Sequence, residues 1–525
     1  MNKKLNNLIN LSSKEIYVFL YFFIFLVIGA IIFRDYGISI DEDNTRIIGF
    51  LSLEKIYNFF SINAHEITKI IESDSLAHSR DNISTSGVIF DLPMAYIEYI
   101  FKIDDSKTYF LLRHFFTFLI FFISTIYFYK IIILKYKSTL FALLGTSFLI
   151  FSPRIFGESF FNNKDIVLMS FFIVGIFYSI KFLENKNIYN AFCFALICSI
   201  IVNIRILGIV LPMITIFFYI FLVFRNNQNK VKQIIHFFLI LLLLLLFSFI
   251  FWPDLWSDPM TNFSRTLGFM KTHFLNIYIF YLGEFIFFSN MPWHYHVVSI
   301  FVSTPIIYLF FFIIGFTLIS IRVFKRLLKI DKNKNYKDIW RGNKELYDLI
   351  FLIIFLSVIL IAVDTGKISY NGWRHLYFIY PCFILIALKG LFSLKVAYFK
   401  KKFNFFIFLI FLSLLPNILW MIKNHPYQNL YYNTFVKNNF NRYFEADYWG
   451  LTNKDALKII SNDTNEAVKV FSMNTSDLNL SKRMLNKENR NKINIVYNVD
   501  LADYVVNHYY DWSGRLLPFD YKVPA

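Results

Sequence analysis

Three acids in a row, Asp41, Glu42 and Asp43 in "GISIDEDNTR" (37–46), stand shortly beyond a long apolar run. A carboxylate held there can take a proton from an attacking hydroxyl. The same residues can also do no more than start a helix, with Asp41 as N-cap and the next two acids complementing the dipole. One acid can cap while another works. A second cluster, "SPRIFGESFFNNKDIVL" (152–168), sets Arg154, Glu158, Asn162, Asn163, Lys164 and Asp165 in a short loop between two apolar runs. Asp165 could cap the helix that follows, but cations beside acids at such a depth need partners. Arg205 in "NIRILG" either snorkels to an interface or contacts an anionic phosphate. In "YNGWRHLYFIYP" (370–381), interfacial anchoring accounts for Tyr370 and Trp373 better than for Arg374 and His375. Cations and carboxylates around an apolar body suit a substrate with a lipid tail, a phosphate and a neutral sugar. The cations would take the charge that develops on the departing phosphate, and a carboxylate would activate the acceptor hydroxyl. No P-loop, GxSxG or HExxH pattern offers a competing chemistry.

The elements that must hold these residues are membrane helices. Apolar residues make up 57% of the chain, aromatics 21% and charged residues 17%, and the mean hydropathy is +0.50. The runs are of the length that crosses about 30 Å of hydrocarbon. Spans are expected at 15–33, 109–129, 138–152, 165–183, 188–204, 207–224, 234–252, 297–321, 346–363, 373–390 and 403–421, about eleven in all. The two shortest are 138–152 and 188–204. With the N-terminus on the cytoplasmic side, every loop expected inside is rich in Lys or Arg, as the positive-inside rule requires. This accounts for much of the net charge of +17 without nucleic acid. The acidic triplet and the segments 153–164 and 364–372 then fall outside, with Arg374 and His375 entering a span from its outer end. Outer-face interfacial helices are expected in the first outer loop (34–108), where "RIIGFLSLEKIYNFF" (46–60) has helical apolar spacing. The chain divides into a membrane domain, 1–421, and a small outer α/β domain, 422–525, with a helix at 452–462 and strands at 467–474, 492–499 and 502–512. The expected class is therefore an all-α polytopic membrane protein carrying that small domain.

Five strings add a resemblance. "GVIFDLP" (87–93), "SPRIFGESFFNNKD" (152–165), "GWRHLYFIYP" (372–381), "HPYQNLYYN" (425–433) and "DYWGL" (447–451) follow the acids of the first outer loop. In that order they resemble bacterial relatives of the protein O-mannosyltransferases, within the GT-C superfamily of polyprenyl-phosphate-sugar-dependent glycosyltransferases. The resemblance implies a GT-C fold in a bacterial inner membrane, with a periplasmic C-terminal domain. It implies inverting, single-displacement transfer of a sugar from a polyprenyl-phosphate donor to an acceptor glycan, lipid or protein. Carried over by position, Asp41 is the base with Glu42 its neighbour, and Asp165 is the second acid. Arg205, Arg374, Lys164 and Arg154 would bind the donor phosphate, and Asp43, Asp91, Glu158, His375 and Trp373 would line the substrate cavity. No cofactor is expected; a divalent metal, used by some GT-C enzymes, is not favoured with a monophosphate donor. The competing reading is a transporter or flippase of lipid-linked glycans, for which paired broken helices in two sequence halves would be the signature.

Overall fold

Apolar runs interrupted by caps and prolines give the helices their bounds. In the computed structural model the described residues are 13–73, 88–225, 230–272, 277–328, 339–365, 370–399, 402–438, 440–472 and 475–506. Their helices are α1 (Ser13–Ile32), α2 (Ile40–Phe59), α3 (His65–Glu72), α4 (Asp91–Ile100), α5 (Ser106–Tyr136), α6 (Thr139–Ile150) and α7 (Pro153–Phe161). Then come α8 (Asp165–Glu184), α9 (Ile188–Ile204), α10 (Val210–Arg225), α11 (Lys230–Ile250), α12 (Pro259–Thr272) and α13 (Tyr295–Ser303). The series closes with α14 (Ile306–Leu327), α15 (Gly342–Thr365), α16 (Tyr380–Tyr398), α17 (Phe403–Lys423), α18 (Thr452–Asp463), α19 (Thr475–Lys482) and α20 (Lys487–Lys492).

The chain is an all-α, multi-pass membrane protein: among the described residues nine helices are long and apolar enough to cross a bilayer. The two shortest expected spans fall outside that count. The run at 188–204 is a 17-residue helix, α9. The run at 138–152 becomes α6, which meets α7 at a 68° bend and counts as a tenth span only if the pair is taken together. Lys137, in the left-handed region at φ 55°, ends α5, and Ser138 caps α6 by accepting from Phe141 N–H at 3.4 Å. Ser152 and Pro153 then start α7 in the new direction. The tightest helix pair is α14 against α16. A Cβ on Gly315 would lie 1.9 Å from the Ile386 carbonyl oxygen, and one on Gly390 would lie 2.2 Å from that of Phe311. Only glycine lets the two backbones touch this way.

One end of the bundle is tied by ion pairs at the basic loops. Lys135 of α5 bonds Asp348 of α15, Arg322 of α14 reaches the same carboxylate at 3.1 Å, and Arg326 grips Glu345 at 2.5 and 3.0 Å. The opposite end carries α2 to α4, α7 and the C-terminal segments. There the apolar face of α2, with Ile47, Phe50 and Leu53, packs on Ile67, Ile71 and Ala95 of α3 and α4. Protein therefore covers the side expected to lie on lipid, and only the tip, Phe59, Phe60 and Ile62, stays exposed.

The α/β unit is present but begins later than the expected 422. Helix α18 and three short parallel strands, β3 (Val468–Phe471), β4 (Ile493–Ile495) and β5 (Tyr504–Val505), form a sheet of order β4-β3-β5. Its core is Leu457, Val470, Leu478 and Ile493. The strand expected at 502–512 is described only as far as 506. Residues 424–438 and 440–451 instead lie on the bundle, because their aromatic side chains bury there: Tyr432, Tyr448 and Trp449 are all covered. An antiparallel hairpin, β1 (Tyr278–Tyr281) with β2 (Glu284–Phe287), bridges to Phe444 of this segment.

Candidate functional site

Neither Asp41 nor Asp165 caps a helix, and each is relieved of that task by a neighbour. Ser39 is the N-cap of α2, and its N–H donates to Glu42 Oε1 at 2.7 Å, the carboxylate half of a capping box. Asn162 does the same work for α8, its Oδ1 accepting from Asp165 N–H at 2.9 Å. Both acids are thereby free to turn toward Arg374, which stands in the 3-10 turn that leads into α16. Arg374 Nη1 donates to Asp41 Oδ2 at 2.6 Å and lies 3.6 Å from Asp165 Oδ2. On the far side, Arg205 Nη2 pairs with Asp165 Oδ1 at 2.6 Å, a charge contact that falls off hydrogen-bond alignment. Arg205 is the extended residue that closes α9, so its side chain turns inward and does not snorkel. Its Nη1 donates to His375 Nδ1 at 2.7 Å.

The two acids differ in access. The side chain of Asp41 is 35% exposed while that of Asp165 is 1% exposed. Burial opposes ionisation of Asp41, but the Arg374 charge and hydrogen bond, helped by Lys164 and Arg205, hold its carboxyl below the usual range. Lys164 makes no direct ion pair among the described residues. Burial pushes its ammonium below the ordinary lysine value and Arg205 adds to this, against the pull of Asp41, Asp165 and Asp91. Three buried nitrogens of the cluster, Arg205 Nε, Arg374 Nε and His375 Nε2, lack a hydrogen-bond partner among the described residues.

A second layer supports the first. Asn162 Nδ2 bridges Glu158 Oε2 at 2.8 Å and Asp165 Oδ2 at 3.2 Å, and Glu158 Oε1 accepts from the hydroxyl of Tyr377 at 2.6 Å. The guanidinium of Arg374 sits over the rings of Trp449 and Tyr370, at 4.6 and 5.4 Å. Asn163 donates to Thr45 at 2.8 Å and, more weakly, to Asp91 at 3.4 Å. Asp91 also takes Arg113 at 3.2 Å; burial raises its carboxyl to about 6 in spite of Arg113 and Lys164. Four of the five strings thus touch around Asp41 and Arg374, through Asp91, Asn163, Asp165, Arg374 and Trp449, while "HPYQNLYYN" meets the second string at Arg154.

Not every expected residue joins the cluster. Glu42 is fully buried and turned to His114, whose Nε2 lies 2.9 Å from its Oε2, so it serves the cap and the core. Asp43 faces the α/β unit and pairs with Arg483 at 2.6 Å. Trp373 donates its indole N–H to Ser303 at 2.6 Å. Arg154 contacts the Tyr431 carbonyl at 3.3 Å and the Tyr432 ring. It lines a separate cavity of about 20 Å3 with Glu445 and Tyr448, room for about one water. Burial pushes the carboxyl of Glu445 up to about 8. Arg113, His114 and Glu445 were missed in the sequence. Arg and His inside the otherwise apolar run 109–129 were a readable signal, because intramembrane ionisable residues are rare without a role. No family model and no curated protein matches this chain.

Proposed function

We propose that the chain is a glycosyltransferase that moves a sugar from a polyprenyl-phosphate donor to an acceptor hydroxyl at the site end of the bundle. The observation that carries this reading is the shared guanidinium: Arg374 bonds a reachable carboxylate, Asp41, and abuts a buried one, Asp165. In the resting arrangement Arg374 suppresses the basicity of Asp41. A donor phosphate drawn to Arg374, Arg205 and Lys164 would compete for that partner, and Asp41 would regain proton affinity where the acceptor arrives. The acceptor oxygen then attacks the anomeric carbon as the bond to the phosphate oxygen breaks. The electron pair leaves with the phosphate, and the hydroxyl proton passes to Asp41. Asp165 holds both arginines in register. The lysine- and arginine-rich end faces the cytoplasm and the site faces outward, by the charge asymmetry of the loops. The membrane is a bacterial inner membrane under this reading, and glycan, lipid and protein acceptors are all compatible with it.

The bend between α6 and α7 is a feature that a carrier of lipid-linked glycans would also use. The two readings part on bond formation. With the chain in vesicles containing a lipid-phosphate sugar, Asp41→Asn is expected to lower transfer by roughly 100- to 10,000-fold. Unchanged turnover rejects Asp41 as base. Movement of labelled lipid with no new glycosidic bond favours the carrier.

A further inference from the structure

Between the site-end tips of the first and last spans and the α/β unit lies a cleft of about 370 Å3 that the proposed reaction does not use. Its cations come from three elements: Arg34 just past α1, Lys107 in the first turn of α5, and Lys454 and Lys458 one turn apart on α18. Lys454 is pinned, donating to the carbonyl oxygens of Arg34, Asp35 and Tyr36 at 3.1, 2.8 and 3.0 Å. Lys107 donates to Asn486 Oδ1 at 2.6 Å. Arg34 and Lys458 are exposed and make no ion pair among the described residues. The two acids on the wall are already engaged. Asp35 pairs with His425 at 2.9 Å, and Asp455 accepts the hydroxyl of Tyr427. Buried Met484 and Leu485 form an apolar floor. The cleft is thus net positive, and like charges crowd in it. Lys454 is pushed down to about 8, mainly by burial, with Lys107 and Lys458 adding to the effect.

Position says which anion is at hand. The spanning stretches beside the cleft, in α1 and α17, are only 17% and 28% buried by protein. In a bilayer that encloses these two helices, lipid borders the cleft at both flanks, and Arg34, two residues past the end of α1, falls at the level of the headgroups. Basic residues at that level attract anionic headgroups. We propose that this cleft binds the phosphate of an anionic phospholipid, with Arg34 and Lys458 as its contacts and the apolar floor beneath the glycerol. The lipid would hold the α/β unit against the leaflet.

The test uses the full chain in mixed micelles of phosphatidylglycerol and phosphatidylcholine, with retained lipid weighed by native mass spectrometry. Wild type is expected to retain phosphatidylglycerol preferentially, and the double variant Arg34→Ala with Lys458→Ala to lose roughly tenfold or more of that preference. The charge-keeping pair Arg34→Lys with Lys458→Arg should retain it, which separates lost binding from lost folding. Equal retention by wild type and the alanine variant overturns the proposal. Inorganic phosphate that raises the Tm of wild type, with no phosphatidylglycerol retained, assigns the cleft to a soluble anion and overturns the lipid source.

Discussion

At the scale of single residues, the acid that meets Arg374 and the acid that builds the helix start are set apart by hydrogen bonds no spacing rule contains. Asp41, Glu42 and Asp43 are adjacent and alike, yet they face Arg374, His114 and Arg483 respectively. A helix turns each successive side chain by about 100°, so neighbours in sequence must look at different partners. The triplet was legible as a site; the choice within it waited on which residue reached back to Ser39. Glu445 was invisible for a related reason, since only the fold wraps it in tyrosines and leaves Oε1 without a hydrogen bond among the described residues. Its behaviour is open to measurement. The folded carboxyl sits at about 8 against an ordinary 4.5, so the folded state holds a proton that the unfolded chain releases. That contribution to stability is complete below about 4.5 and is lost as pH rises through about 8. The Tm of wild type in detergent should therefore fall across that interval. Glu445→Gln, which mimics the protonated acid, should remove this component of the slope. A slope unchanged in the variant would deny Glu445 the role.

At the scale of elements, the expected apolar runs became helix, because hydropathy alone drives long apolar segments to satisfy their backbones internally; the run at 297–321 did so in two pieces, α13 and α14, parted at Thr304 and Pro305. The ends were less legible: Ser138 starts α6, and Ser152 and Pro153 turn what was expected as an outer loop into the helix α7. The segment 424–451 was assigned to the outer domain because it follows the last expected span. Its aromatics in fact belong to the bundle, where Phe161 meets Trp449 at 5.7 Å between ring centres. Packing between helices was not readable in advance either, and the contact of α14 with α16 is the clearest instance. Gly390→Ala places a methyl where the Phe311 carbonyl oxygen already sits, 2.2 Å away. Backbone cannot yield as a side chain tip can, so the helices must part, at a cost of about 1–3 kcal/mol. Thermal unfolding in detergent should report a lower Tm for Gly390→Ala and a lower one still for Gly390→Val. Equal stability of all three would mean that the helices do not touch there.

At the scale of the whole molecule, the site itself fixes how often the chain must cross. Asp165 opens α8 and Arg205 closes α9, and the two pair directly, so α8 and α9 must go to the far end and return. The 17 residues of α9 rise about 25 Å, enough to cross most of the hydrocarbon layer. Likewise Lys135, near the end of α5, is bound to Asp348 at the basic end, while Glu158 of α7 is in the site, so α6 carries the chain between them. Its 12 residues span about 18 Å even when upright, against about 30 Å of hydrocarbon. The bent α7 that follows, with Glu158, makes up part of the return to the site end. Cysteine labelling decides this arrangement. In a chain with Cys193, Cys198 and Cys382 replaced, a membrane-impermeant maleimide applied to intact cells should label Ser61→Cys and Lys458→Cys. Asn187→Cys, in the exposed turn between α8 and α9, should react only after the membrane is opened. Labelling of position 187 together with 61 would place both ends of the α8–α9 pair on one face, and the crossing count that brings Arg205 to Asp165 would fail with it.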